Sequence, residues 1–229
     1  MAKLSILIPV FNEKATLPEI LRRVQAVSLP LEKEIIIVDD GSSDGTTEIM
    51  RKVDDPSIQR YYHTQNQGKG AAVRTALEHA SGDFVLIQDA DLEYDPKDYV
   101  PLLEPLLDGR ADVVYGSRFL AGPHRVLMFW HYMANRFITL VANVMYDVNL
   151  TDMGTCYKAF AAAHARTLNL RSPGFGLEAE ITAKVCKKRL RIYEIPISYS
   201  GRTYAEGKKI TPRAALVYLW CLLRFRFSD

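Results

Sequence analysis

The amino-acid sequence predicts an α/β fold, a mostly parallel, doubly wound sheet flanked by helices. Two observations predict it. Through residue 118, short apolar runs alternate with segments of helical periodicity, the order expected of parallel strands joined by crossover helices. Polar clusters at residues 11–13, 39–45, 89–93 and 116–118 each follow one of those runs. In such sheets ligands bind beyond the carboxyl ends of the strands, which is where these clusters fall.

Residues 4–10 are the first strand, ended by Phe11-Asn12-Glu13. Thr16 and Glu19 have capping-box spacing, and Leu17, Ile20, Leu21, Val24 and Val27 mark one face of the following helix. Residues 34–38 form a β-branched strand that runs into Asp39-Asp40-Gly41-Ser42-Ser43-Asp44-Gly45 and a helix to about residue 53. A third strand covers 58–63, and Asn66-Gln67-Gly68-Lys69-Gly70 opens a helix to about residue 80. The fourth strand, 84–88, ends in Asp89-Ala90-Asp91; Asp95 and Pro96 then supply an N-cap and a first-turn proline. A fifth strand at 112–115 ends at Gly116-Ser117-Arg118.

Beyond residue 118 the alternation stops. Residues 126–146 read as a helix in which His131, Asn135, Thr139 and Asn143 step by four, with Arg136 beside them. The rest of that helix is apolar over a wide arc. Residues 151–160 and 190–199 look strand-like, with a helix at 177–188 between them. A polar, basic loop covers 200–209, and Thr211 and Pro212 start a last helix. No repeat or linker interrupts the chain, so 1–229 reads as a single domain with halves at 1–118 and 119–229.

The 229 residues carry a net charge of +2, which gives no support to a nucleic-acid binder. The total hides an asymmetry. Residues 1–183 hold 18 Lys/Arg against 24 Asp/Glu, net −6; residues 184–229 hold 11 against 3, net +8. A basic end suits an anionic partner such as phosphate or a membrane surface. Cys156, Cys186 and Cys221 lack C-x-x-C spacing, and all three are expected to be reduced cytosolic thiols. From the strand-like start no signal peptide is expected. No run reaches the roughly 20 predominantly apolar residues of a bilayer span.

Asp89 and Asp91, two positions apart on a strand-end turn with Glu93 beyond, can hold Mg²⁺ or Mn²⁺ and leave positions for a diphosphate. The plainer reading is an acidic turn before the Asp95-Pro96 helix start. Asp39 and Asp40 could be only an Asx turn, but adjacent carboxylates repel, which favours a hydrogen-bonding or binding duty for one. Residues 66–70 do not match a P-loop, although Lys69 at a helix start could sit near a phosphate. His124 and His131 read as incidental polar residues.

Taken in order, Ile8-Pro9-Val10-Phe11-Asn12-Glu13, Val38-Asp39-Asp40-Gly41-Ser42, Asn66-Gln67-Gly68-Lys69-Gly70 and Asp89-Ala90-Asp91 resemble the successive motifs of inverting GT-A glycosyltransferases. Gly116-Ser117-Arg118, Thr151-Asp152-Met153 and the segment from Gly201-Arg202-Thr203 through Glu206-Gly207-Lys208-Lys209 resemble the dolichyl-phosphate mannose synthase branch. The resemblance covers roughly residues 3–212. It implies that Pro9, Asn12 and Glu13 flank the nucleotide and that Asp40, with Asp39 beside it, contacts the base. Asp89 (followed by Ala90) and Asp91 would hold the metal, with Glu93 at a third ligand position. Arg118 and Arg136 would face a lipid phosphate; Arg202, Lys208 and Lys209 would close over donor phosphates; Asp152 matches a functional acidic position of unassigned role.

The activity so implied is metal-dependent inverting transfer of a hexose from a GDP- or UDP-linked donor to a polyprenyl or dolichyl phosphate. Such an acceptor is already anionic near neutral pH and needs positioning rather than a base, a task suited to arginine. The apolar side of 126–146, with Phe129, Trp130 and Phe137, and the last helix, with Trp220 and Phe225 beside Arg224 and Arg226, could lie on the cytoplasmic face of a membrane. Two other readings stand beside this one. One is transfer to a soluble sugar or protein hydroxyl with Asp152 as base; the other is a non-catalytic nucleotide-binding or membrane-scaffold module. A phosphorylation receiver would use Asp39, Asp40, Asp89 and Lys69, but the length and Asp91 argue against it.

Overall fold

A computed structural model describes residues 2–120, 125–126, 128–207 and 213–228. His124, Lys208, Lys209 and the Thr211-Pro212 helix start lie outside the described residues. Seven strands form one sheet: β1 (Lys3–Val10), β2 (Glu32–Asp39), β3 (Ile58–Tyr62), β4 (Phe84–Ile87), β5 (Val113–Ser117), β6 (Lys158–Ala161) and β7 (Ile192–Pro196). Their order is β3-β2-β1-β4-β6-β5-β7. Only β6 runs antiparallel to its neighbours β4 and β5, so the first five strands all point the same way. Their carboxyl ends, and the polar clusters that follow them, gather on one edge.

The helices cover both faces. α1 (Leu17–Ala26) and α4 (Tyr99–Leu107) pack with Ile6, Ile8, Ile35, Ile37 and Val114 on one side. On the other, α3 (Lys69–His79), α5 (Phe129–Tyr146), α6 (Ala162–Thr167), α7 (Leu177–Lys187) and α8 (Arg213–Phe227) pack with Leu7, Ile36, Val38, Val85 and Phe160. Short α2 (Thr46–Arg51) follows β2. Alternate residues of β1 and β2 thus enter opposite cores, which is why those strands read as unbroken apolar runs rather than alternating ones.

Four local expectations change. Thr16 makes no side-chain cap; its hydroxyl donates to the Glu13 carboxylate at 2.7 Å, while Glu19 pairs with Arg22 and Arg23. Asp95 does cap, accepting the Lys97 N–H at 3.1 Å, but the first turn is a 3-10 turn, Pro96–Asp98, that leads into α4. The 151–160 segment is strand only from Lys158. The buried Lys158 ammonium donates to the carbonyls of Met153, at 3.0 Å, and Thr155, which curls the preceding residues into a turn. Phe225 faces the core at 1% exposure, and Trp220 and Phe227 hold the outer face of α8 instead.

The helix expected at 126–146, observed as α5, buries Ile138, Ala142 and Tyr146 and leaves much of its apolar arc outside. Its polar stripe faces inward: Asn143 bonds both backbone groups of Leu150, and Thr139 accepts the Met153 N–H. Phe129, Trp130, Phe137, Leu140 and Val144 are exposed. Among the described residues, no helix is long and apolar enough to cross a membrane.

Candidate active site

The loop after β1 is pinned to the loop after β2. Asn12, at φ 52°, donates its N–H to the Ser42 hydroxyl and accepts the Ser43 N–H at its side-chain oxygen, both at 2.9 Å. The left-handed backbone there suits asparagine better than most residues. The two adjacent carboxylates point to separate donors. Asp39 accepts from Ser42 N–H (3.0 Å) and the Thr47 hydroxyl, so it builds its own turn. Asp40 accepts from Gln67 N–H (2.9 Å) and Gly68 N–H (2.7 Å) and lies 2.7 Å from His63 Nδ1, whose Nε2 meets the Thr75 hydroxyl. This fixes the 66–68 loop over the strand ends.

α3 starts against the chain rather than against open space. A Cβ on Gly70 would sit 2.0 Å from the Ser172 carbonyl oxygen, and one on Gly68 (φ 94°) would sit 2.5 Å from that of Pro173. Pro173 O also accepts the Ala71 N–H. The amino end of α3 is therefore occupied, and Lys69 contributes its side chain to the site. Its ammonium lies 2.7 Å from Asp89 Oδ1, 3.0 Å from Glu178 Oε1 and 3.0 Å from Cys156 Sγ. Burial works against the charged lysine, but Asp89 and Glu178 raise its pKa well above the usual value.

Arg202 occupies the acidic cluster. Its guanidinium donates to Asp91 Oδ2 at 2.8 Å and reaches Glu93 at 3.4 Å and Glu13 at 3.5 Å. Burial, then the neighbouring Asp89 and Glu93 charges, push the Asp91 carboxyl up to about 7, against the pull of Arg202. Glu93 accepts the Tyr199 hydroxyl (2.8 Å) and the Arg202 N–H (2.9 Å), so its carboxylate anchors the 199–202 segment. Among the described residues, no three metal-ligating side chains converge. Asp89 and Asp91 flank the cavity as a pair, and Glu93 is turned to the Arg202 loop.

Arg118, at the end of β5, forms a two-point pair with Asp152: Nε to Oδ2 at 2.7 Å and Nη2 to Oδ1 at 2.8 Å. The Arg118 N–H adds a third bond to Oδ2. Asp152 is fully buried, and these bonds fix the orientation of the Arg118 guanidinium.

These groups share one cavity of about 1110 Å³. Pro9, Glu13, Asp40, Lys69, Asp89, Ala90, Asp91, Glu93, Arg118 and Arg202 line it, as do Trp130 and Ile138 of α5 and Ala214 and Tyr218 of α8. Asn12, Asp39 and Asp152 support that lining from behind. Arg136 is exposed on α5 and does not line the cavity. Sequence reasoning missed Glu178, Cys156, Tyr199 and Tyr218, all of which do line it. The signal for Glu178 is structural: it sits on a helix buried almost all round, where an acid needs a partner.

A seven-stranded, mostly parallel sheet with an Asp-Ala-Asp turn at a strand end is the architecture of the GT-A glycosyltransferases. The fold is similar to that of crystalline glucosyl-3-phosphoglycerate synthase from Mycobacterium tuberculosis, in complex with Mn²⁺, UDP and glucosyl-3-phosphoglycerate. The TM-score is 0.74 at 21% identity, over 100% of this chain and 81% of that one. The chain belongs to glycosyl transferase family 2, whose sequence profile matches residues 5–167. It is 32% identical over 214 residues to undecaprenyl-phosphate mannosyltransferase of Micrococcus luteus, over 88% of this chain and 85% of that one. It is 31% identical over 214 residues to undecaprenyl-phosphate 4-deoxy-4-formamido-L-arabinose transferase of Salmonella paratyphi A, over 90% of this chain. The match spans 62% of that relative's length.

Proposed function

We propose that the chain transfers a hexose, with inversion, from a nucleotide sugar to a polyprenyl phosphate. One observation carries this reading: a single cavity is lined by a carboxylate pair, Asp89 and Asp91, by a pre-set arginine, Arg118, and by residues of two helices, α5 and α8, whose outer faces are apolar. The names of the two relatives, both undecaprenyl-phosphate transferases, support it.

In this reading Pro9, Glu13 and Asp40 border the nucleoside, and Lys69 and Arg202 meet the donor phosphates. Arg118 takes the acceptor phosphate through paired N–H groups, for which guanidinium geometry is suited. Asp152 holds that guanidinium still, so little ordering entropy is lost on binding. Its burial and three bonds to Arg118 argue against service as a base for a hydroxyl acceptor. Displacement at the anomeric carbon then needs only an aligned phosphate oxygen. Arg202 stabilises the negative charge that develops on the departing diphosphate.

Two hard carboxylate oxygen donors in a cavity suit a divalent cation. Asp89 and Asp91 would hold Mg²⁺ or Mn²⁺, which when bound supplies further neutralisation of diphosphate charge. The exposed apolar faces of α5 and α8, flanked by exposed Arg136, Arg224 and Arg226, support a reading in which these two helices lie on the cytoplasmic surface of a membrane.

The test is direct. Purified protein is incubated with UDP- and GDP-hexoses, Mg²⁺ or Mn²⁺, and a polyprenyl phosphate, and a lipid-phosphate-linked sugar is the expected product. No product across the donor panel overturns the proposal. Product formed only on soluble hydroxyl acceptors establishes the other transferase reading.

A further inference from the structure

We infer that Glu178 is a positioning residue that shares Lys69 with Asp89, so that Asp89 keeps negative charge available to a divalent cation. The geometry is a relay across the fold. From the first turn of α7, Glu178 Oε1 meets the Lys69 ammonium at 3.0 Å, and Oε2 accepts the Tyr218 hydroxyl of α8 at 3.4 Å. Lys69 in turn meets Asp89 Oδ1 at 2.7 Å. Glu178 is 3% exposed, so it is no solvated surface acid.

A Lys69–Asp89 pair alone would already be charge-balanced, and burying a second carboxylate against it is costly. The arrangement therefore does something a simple ion pair does not. An ammonium held only by Asp89 would neutralise that carboxylate and repel an incoming cation. With Glu178 opposite, one ammonium is divided between two carboxylates and the three groups carry a net charge of −1. Tyr218 and the start of α7 fix where Glu178 stands, and hence how far Lys69 can move toward Asp89.

Resting on the donor site proposed above, this is tested by Mn²⁺ binding without nucleotide or acceptor. The EPR amplitude of the free aquo ion reports binding to wild type, Glu178→Gln, Lys69→Met and the double variant. Glu178→Gln should bind Mn²⁺ about tenfold more weakly, because the Lys69 ammonium, no longer shared, then turns wholly to Asp89 and repels the cation from there. Lys69→Met should bind at least as tightly as wild type, and adding Glu178→Gln to it should change affinity by no more than about twofold. Equal weakening in both backgrounds, or none in either, overturns the inference while leaving the transferase reading intact. Wild-type protein that binds no Mn²⁺ overturns the metal reading, and this inference with it. If Glu178→Gln does not fold, Glu178→Asp, which retracts the carboxylate by one methylene, serves instead. Its weakening must likewise vanish in the Lys69→Met background.

Discussion

Asp152 and Glu34 are both buried acids, and opposite duties separate them. Asp152 serves the cavity by gripping Arg118 at two points. Asp152→Asn keeps the shape but removes the charge and one acceptor, so Arg118 loses its fixed orientation. Misplacing a positioning group by about 1 Å can cost on the order of 10²-fold in rate. A loss of that order in kcat/KM for polyprenyl phosphate is expected, with donor KM little changed; steady-state kinetics with each substrate varied checks it. Glu34 lies away from the cavity, where its carboxylate accepts from Ser5, Ser81 and Gly82 and pairs with Lys3. Burial pushes this carboxyl up, but Lys3, Ser5 and Ser81 together bring it down to about 2 from 4.5. A depressed carboxyl stabilises the fold above its unfolded pKa and loses that contribution as pH falls through the folded one. Glu34→Gln should therefore cost about 2 kcal/mol at pH 7. In urea unfolding, the gap to wild type should close between pH 4.5 and 2. The strand-end carboxylates were legible in the sequence because each follows an apolar run. The Asp152–Arg118 grip was not, because 34 residues separate the partners and only the curled 151–157 segment brings them together.

At the scale of elements, the site is built by close approach of backbones. The amino end of α3 presses on residues 172–174 so tightly that neither Gly68 nor Gly70 has space for a Cβ. Because the obstacle at Gly70 is a backbone carbonyl, it cannot rotate away. Gly70→Ala should destabilise by about 1–3 kcal/mol, the usual cost of overpacking. It should also lower nucleotide affinity, since Lys69 moves with the helix end; a thermal melt with and without nucleoside diphosphate measures both. The Gly-Lys-Gly sequence announced a helix start, but not what it packs against. The partner segment lies about a hundred residues away, as the Arg74 to Ser172 bond shows with a separation of 98. The antiparallel β6 was hidden for a related reason. Four residues of strand after a turn give too little periodicity to read, and its register depends on both β4 and β5. The period-four stripe of α5 was legible, and its inward direction follows from Asn143 and Thr139 satisfying the backbone of the loop at 150–153.

For the whole molecule, α5 and α8 both turn exposed apolar side chains outward, and exposed arginines stand beside them. Most of the acidic excess lies in the first 183 residues, which also supply Asp40, Asp89 and Asp91; the last 46 residues carry net +8. α8 is anchored inward by Tyr218, Leu222 and Phe225 and presents Leu216, Trp220, Leu223 and Phe227 outward, beside exposed Arg224 and Arg226. Trp130 on α5, 78% exposed, and Trp220, 62% exposed, contribute little to the core, so changing them should spare the fold. Exposed aromatics should insert at the headgroup boundary while the arginines contact anionic lipid, a contact that salt screens. The protein should therefore sediment with anionic liposomes at low salt and do so less as salt rises. Trp130→Glu with Trp220→Glu should abolish sedimentation while leaving the circular dichroism spectrum and melting temperature near those of wild type. Phe225→Glu should instead lower the melting temperature steeply, because a carboxylate would replace a side chain that is 1% exposed. Sedimentation unaffected by the paired Trp substitutions would place the membrane contact elsewhere on the surface.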